Sequence, residues 1–413
     1  MRNDDNLSRE ADLNMQHVNI NDFCEYIRDR IEMEDYEMPI LGLGKSGIGK
    51  TECIENNVCK PLGIGLIEMR LSSYEETDLT GFPIPQTDPA TGETLMRFAD
   101  VSKFPHVGRD PEVGILLLDE FTAARQAVRG AALQLTDKSR SIGDYHLPPK
   151  WLVVILGNGP TDGGYFQGLE YALMARADCF RIDVSFEAWK KWAIKNAVHP
   201  AVIGFIEQAD CGPLGMLHRI KSMDDVEYEE KEANPRCWAK LSSHLKKKEE
   251  RIGGMLDPRQ CTIYAGAAVG ADLAVKFAAY YAYQDEMIKV PDILNGSALN
   301  LNFKHYRIES LYMSTMSLVG AVIEMLNSDA AIFDKTGDIS LESVKKFQNA
   351  MKYILKLADS GRVDIAFGIL NSIGEGVPFL LEYMMSSTFD EHYPEWEAVS
   401  EKCGGIQRFD NAM

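Results

Sequence analysis

Residues 44–51 read Gly-Lys-Ser-Gly-Ile-Gly-Lys-Thr, the G-x-x-x-x-G-K-T spacing of a phosphate-binding loop. Gly44, Gly47 and Gly49 permit a tight turn that aims backbone N–H groups at phosphate oxygens. Lys45, Ser46 and Ile48 complete the loop, Lys50 supplies a cation for the β- and γ-phosphates, and Thr51 offers a hydroxyl to Mg²⁺. A helix opening near Lys50 would turn its positive end toward the same anion. Asp119 and Glu120 close the apolar run Gly114 to Leu118. Asp119 fits the Mg²⁺ water shell beside Thr51, and Glu120 fits a base that polarises the attacking water. Asn158 ends the next apolar run, flanked by Gly157 and Gly159, and offers a neutral amide to hold that water.

This chemistry requires strands whose carboxyl ends converge. Parallel α/β sheets bind ligands beyond those ends, where the loop and the acidic pair would meet. Five strands are predicted, at 40–43, 66–71, 114–118, 151–156 and 179–184. Their continuous apolar character, clearest in 114–118 and 151–156, suits a sheet buried on both faces. Helices between them give a three-layer α/β domain over 37–185. Residues 1–36 read as a polar arm, frayed to about residue 20, and a short helix. Residues 51–60 read as a helix stopped by Pro61 and Gly63, and 169–177 as another helix. The stretch 72–113, rich in Gly, Pro, Asp and Thr, is an insert with a hairpin turning at residues 88–92. From Phe186 the pattern is helical only: a lid over 186–290 with a long helix at 265–282, then a C-terminal helical region, 291–413, without an assignable motif. Its clearest helix, 341–358, carries Val344, Phe347, Met351 and Ile354 along one stripe.

Bulk properties narrow the function. With 43 basic and 62 acidic residues the net charge is −19, which argues against a nucleic-acid-coating role. Lys246-Lys247-Lys248 is followed by Glu249-Glu250 and reads as a solvated helix end. The eight cysteines form no C-x-x-C pair and read as reduced packing residues. The polar, acidic start has no signal-peptide pattern, and no apolar run reaches the ~18 residues of a membrane span, so the cytosol is the expected location.

Phosphate loop, Asp-Glu strand, strand-end Asn and all-helical lid together resemble the AAA+ ATPases. Within them the chain resembles the MoxR-type group, through Asp78-Leu-Thr-Gly81, Leu118-Asp-Glu-Phe-Thr-Ala-Ala124, Ile142-Gly-Asp-Tyr-His-Leu-Pro148, Gly157-Asn158 and Asn234-Pro-Arg-Cys-Trp-Ala-Lys-Leu241. The likeness covers about 37–290. It implies ATP and Mg²⁺ as ligands, Asn158 as first sensor and Arg236, at a lid-helix start, as second sensor. It implies Arg176 as a finger into a neighbouring subunit's nucleotide; Ala177-Asp178-Cys179 intervene before Phe180, which leaves Arg181 as a competitor. The role needs a permanently charged planar donor, which Arg supplies. A finger in trans implies a homo-oligomeric ring, a hexamer by resemblance, remodelling a protein client, with a von Willebrand A domain protein as the first partner to seek. Phe82, between Gly81 and Pro83 in the insert, is the candidate for touching a substrate chain. A nucleotide-gated scaffold with little turnover is the alternative, and a nucleic-acid motor a further one.

Overall fold

A computed structural model describes residues 15–160, 162, 166, 168–169, 171–209, 211–218, 233–394 and 396. The chain forms two compact units that divide between Ser185 and Phe186.

The first unit is built on a six-stranded parallel sheet. Its strands are β1 (Gln16–Asn19), β2 (Ile40–Gly44), β3 (Gly65–Arg70), β6 (Gly114–Asp119), β9 (Trp151–Gly157) and β10 (Asp178–Asp183). They lie in the order β1-β10-β2-β9-β6-β3. Two antiparallel hairpins complete the strands: β4 (Pro83–Thr87) with β5 (Thr94–Phe98), and β7 (Ser141–Ile142) with β8 (Tyr145–His146). The five expected strands are present, and β1 is an addition: the arm expected to be frayed pairs Gln16 to Asn19 with Phe180 to Asp183. Residues 1–14 lie outside the described residues.

Burial on both faces accounts for the unalternated apolar strands. Leu41, Leu116, Leu118, Val153 and Ile155 pack into a core on one face. Ile40, Ile115, Leu117, Leu152, Val154 and Leu156 pack into a core on the other. Each such side chain contributes roughly 1.5–3 kcal/mol relative to exposure. Helix α1 (Ile20–Glu32) is capped by Asn19, whose side chain accepts from the N–H groups of Asn21 and Asp22, and it buries Phe23 and Ile27 in the second core. Gly42 is required there, because a Cβ would come within 2.6 Å of the Phe23 ring.

After the loop, helix α2 (Lys50–Ile54) runs on through a wider turn at Glu55–Cys59 to Leu62, and ends at Gly63 in a left-handed cap, so Pro61 is accommodated and only Gly63 stops it. Helix α3 (Gln126–Ala132) buries Val128, Ala131 and Ala132 in the first core. The helix expected at 169–177 is one turn only among the described residues, Tyr171–Met174.

In the second unit, α4 (Phe186–Lys195), α5 (Pro200–Glu207) and α6 (Pro235–Ile252) precede α7 (Pro258–Val269) and α8 (Ala271–Tyr281). The single long helix expected at 265–282 is broken at Gly270, whose φ of 102° cannot continue a helix. Phe205, Trp238 and Phe277 meet in one aromatic cluster. Further on, α9 (Ile308–Ser328), α10 (Leu341–Asp359) and α11 (Val363–Gly376) share a core that includes Leu318, Val322, Phe347, Tyr353 and Ile369. The backbone N–H of Ile288 donates to Ser314 Oγ at 2.9 Å, which ties the end of the earlier helical segment to α9. Among the described residues no single helix is long and apolar enough to cross a membrane; α9 with the bent segment Ala330–Thr336 passes by length and composition as a pair.

Candidate functional site

The sheet order puts the carboxyl ends of β2, β9, β6 and β3 side by side at one edge. Leu43 is level with Gly157, Leu118 with Ile155, and Arg70 with Asp119. The loop leaves β2 there. Gly44 has no room for a side chain, since a Cβ would sit 2.8 Å from the Ile182 carbonyl oxygen. Gly47 (φ 78°) and Gly49 (φ 91°) both take the left-handed conformation that glycine adopts without cost. Lys50 Nζ donates to the Gly44 carbonyl at 2.5 Å and the Lys45 carbonyl at 3.0 Å, which holds the ammonium across the loop.

Thr51 Oγ1 donates to Asp119 Oδ2 at 2.8 Å. The second carboxylate oxygen, Oδ1, accepts from the Glu120 backbone N–H at 2.7 Å. A hydroxyl and a carboxylate side by side at the end of a phosphate loop form the donor pair a hard cation uses when phosphate and water supply its other ligands. Among the described residues there is no group of three or more His, Cys, Asp or Glu suited to a metal, so the protein alone offers no full cage.

Glu120 turns at φ 56°, a left-handed conformation uncommon for a side chain of this size and often found at functional sites. It is exposed, and Ser72 Oγ donates to its Oε2. Asn158 is positioned through its backbone, whose N–H donates to Thr122 Oγ1 at 3.0 Å. Gly157 beside it is obligatory, since a Cβ would approach the Thr122 side chain to 2.8 Å.

Next to Asn158 lies a buried ion pair. Arg181, on β10, donates to Asp162 through both terminal nitrogens, one at 2.6 Å, and Asp162 also accepts from the Gly159 N–H at 2.5 Å. The Asp162 side chain is 0% exposed and that of Arg181 8%. Burial pushes the Asp162 carboxyl up. The Arg181 bonds and charge, the Gly159 N–H and the Lys50 charge more than offset this and hold it below the usual carboxylate range.

Of the sequence-derived candidates, the structure brings together residues 44–51, Asp119 and Glu120, with Asn158 on the adjacent strand end. Arg176 stands apart: about half exposed, its guanidinium is paired with Asp137. Arg181, the competing finger, is committed inside its own unit by the Asp162 pair. Arg236 occupies the first turn of α6 in the second unit, exposed, after Asn234, whose side chain caps the helix by accepting from the Cys237 N–H at 3.0 Å. Phe82 is 64% exposed at the base of the β4–β5 hairpin.

Ser72, Thr122 and Asp162 had no reading from sequence. Ser72 follows the end of β3 by two residues, a position recognisable once β3 is known to neighbour β6. Arg181 carried a signal, because a charged residue within a buried strand needs a buried partner.

No family model matches the chain, and no curated protein matches it. Among solved structures, it is similar to NtrX from Brucella abortus in complex with ATP, at 15% identity over 80% of this chain and 69% of that one, with a TM-score of 0.33. The ADP complex of NtrX gives 14% identity over 86% and 72%, with a TM-score of 0.34. A putative ATPase from Cytophaga hutchinsonii gives 14% identity over 97% and 94%, with a TM-score of 0.27. Likeness at this level assigns no activity.

Proposed function

We propose that the chain is an ATP-hydrolysing ring ATPase of the AAA+ class, of the MoxR type, that remodels a protein partner. The observation that carries this reading is the Thr51–Asp119 contact at 2.8 Å, with Glu120 the next residue, at the mouth of a glycine loop. Loop N–H groups and Lys50 would hold the phosphates, and Thr51 and Asp119 the Mg²⁺. Bound Mg²⁺ supplies charge neutralisation on the phosphate oxygens. Glu120 takes up a proton from the attacking water at its carboxylate, Ser72 orients that carboxylate, and Asn158 fixes the water's position.

The remaining roles rest on resemblance. Arg176 is the finger toward a neighbouring subunit's nucleotide, reached by leaving its exposed pair with Asp137, a pair of a kind worth about 0–1 kcal/mol. Arg236 is the second sensor, Phe82 touches the client chain, the ring is a hexamer, and a von Willebrand A domain protein is the first partner to seek.

The test is complementation in trans. Arg176→Ala and Glu120→Gln should each lack turnover alone. Mixed one to one, a subunit with Glu120 intact beside one with Arg176 intact regains a complete site, in about a quarter of positions for random assembly of a closed ring. Turnover that stays absent at every mixing ratio contradicts the finger in trans; turnover per subunit indistinguishable from buffer in the unsubstituted protein favours a nucleotide-gated scaffold.

A further inference from the structure

Cys24 and Cys53 face each other across the contact between α1 and the helix that opens at the phosphate loop. Their sulfurs lie 3.1 Å apart, with the Cys24 thiol donating to Cys53 Sγ. Asn57 Nδ2 donates to the same Cys53 sulfur at 3.0 Å. Cys24 is buried, and Cys53 is partly exposed. Two thiols held at this separation need a shift of only about 1 Å to reach the ~2.05 Å of a disulfide bond. Cys53 follows Thr51 by two residues, so a bond there acts on the segment that carries the loop's Lys and Thr.

We propose that Cys24 and Cys53 form a reversible disulfide in response to a hydroperoxide, with Cys53 as the attacking sulfur and Cys24 as the resolving one. Cys53 is the sulfur an oxidant reaches, since it is partly exposed while Cys24 is buried, and the Cys24 thiol and Asn57 Nδ2 both point their donors at it. Cys24, buried and 3.1 Å behind it, is placed to resolve the oxidised sulfur. The thiolate is the nucleophile in such chemistry, and partial exposure admits the oxidant.

Two steps balance the reaction. The Cys53 thiolate attacks one peroxide oxygen, the O–O bond breaks, and a sulfenic acid forms while the departing hydroxide takes a proton to become water. Cys24 sulfur then attacks the Cys53 sulfur, the S–S bond forms, the S–O bond breaks, and the second hydroxide leaves as water with the Cys24 proton. Two thiols lose two electrons, and one hydrogen peroxide becomes two waters.

The bond would fix α1 to the helix behind the loop. Its effect on nucleotide affinity rests on the reading of that loop given above; the chemistry itself does not. The experiment treats the full chain with hydrogen peroxide and maps disulfides in non-reduced digests. It also follows the thermal midpoint and binding of a fluorescent ATP analogue before and after dithiothreitol. The expected result is a Cys24–Cys53 cross-linked peptide pair, a rise in the midpoint and a several-fold change in analogue affinity, all reversed by dithiothreitol. Cys53→Ser and Cys24→Ser should each abolish the cross-link. In Cys24→Ala, a second variant suited to the buried position, Cys53 should trap as a dimedone-reactive sulfenic acid. A digest with these two cysteines reduced after peroxide treatment, or joined to other cysteines, overturns the proposal. A cross-link with unchanged analogue affinity overturns the coupling to the loop, and an unmodified chain that binds no ATP analogue overturns the nucleotide reading while the cross-link stands.

Discussion

Replacing Asp162 by Ala removes one member of a pair that has almost no access to water. The Asp162 carboxylate accepts from both Arg181 terminal nitrogens and from the Gly159 N–H, so the variant takes one carboxylate partner from a buried guanidinium and the acceptor from a buried amide. Removing one partner of a buried ion pair costs about 3–5 kcal/mol. Arg181 lies on β10 and Gly159 follows β9, so the cost falls on local opening of those two strands. At 1.4 kcal/mol per factor of ten, exchange of the slowest amides in β9 and β10 accelerates by roughly two to three and a half powers of ten. Hydrogen exchange read by mass spectrometry on peptides covering Trp151–Gly157 and Asp178–Asp183 measures this directly. The double variant Asp162→Leu with Arg181→Met should recover most of the protection, because an apolar pair of similar volume has no desolvation cost. The sign of the pH dependence is also set. The folded-state carboxyl is held below its ordinary value of 3.8, so its contribution is present above that value and is lost as pH falls through the depressed one. Acceleration of less than tenfold in Asp162→Ala at neutral pH refutes this account of the pair.

Ser72→Ala removes the donor that orients Glu120; a net hydrogen bond of about 1 kcal/mol corresponds to a roughly fivefold fall in kcat for ATP with KM unchanged, and a rise in kcat would show that Ser72 restrains Glu120 instead. In the second unit, burial pushes the Glu249 carboxyl up, while bonds from His199, Tyr281 and Gln284 hold it below its ordinary value. Its contribution is present above the ordinary value of 4.5 and is lost as pH falls through the lowered folded-state value, so Glu249→Gln should flatten the acid limb of that unit's unfolding profile below 4.5; an unchanged limb contradicts the assignment.

How much of this was legible in the sequence depends on how local each signal is. The glycine loop, the Asp-Glu strand end and strands buried on both faces are written in consecutive residues, and the structure places each at the expected position in the sheet. β1 was not readable, because Gln16-His17-Val18-Asn19 pairs on one side only and is polar enough to look like solvated chain. The break at Gly270 lies inside an apolar, small-residue run whose helical period continues on both sides, so only the φ of one glycine separates two helices from one. Ser72 and Asp162 act on Glu120 and Arg181 from 48 and 19 residues away, partnerships that depend on strand order and not on spacing. The finger position stays ambiguous in sequence because two arginines lie close to the start of β10; in the fold Arg181 is buried against Asp162 and Arg176 is about half exposed beside Asp137.

The central claim is that Glu120 activates water at a site formed by the loop, Thr51 and Asp119. The most direct measurement compares Glu120→Gln with the unsubstituted chain for equilibrium ATP binding and for ATP turnover in the presence of Mg²⁺. Loss of one general base costs typically 10²–10⁴ in rate, so turnover should fall by at least about a hundredfold while ATP affinity stays within a few-fold. Normal turnover in that variant would contradict the assignment of Glu120, and with it the account of the site.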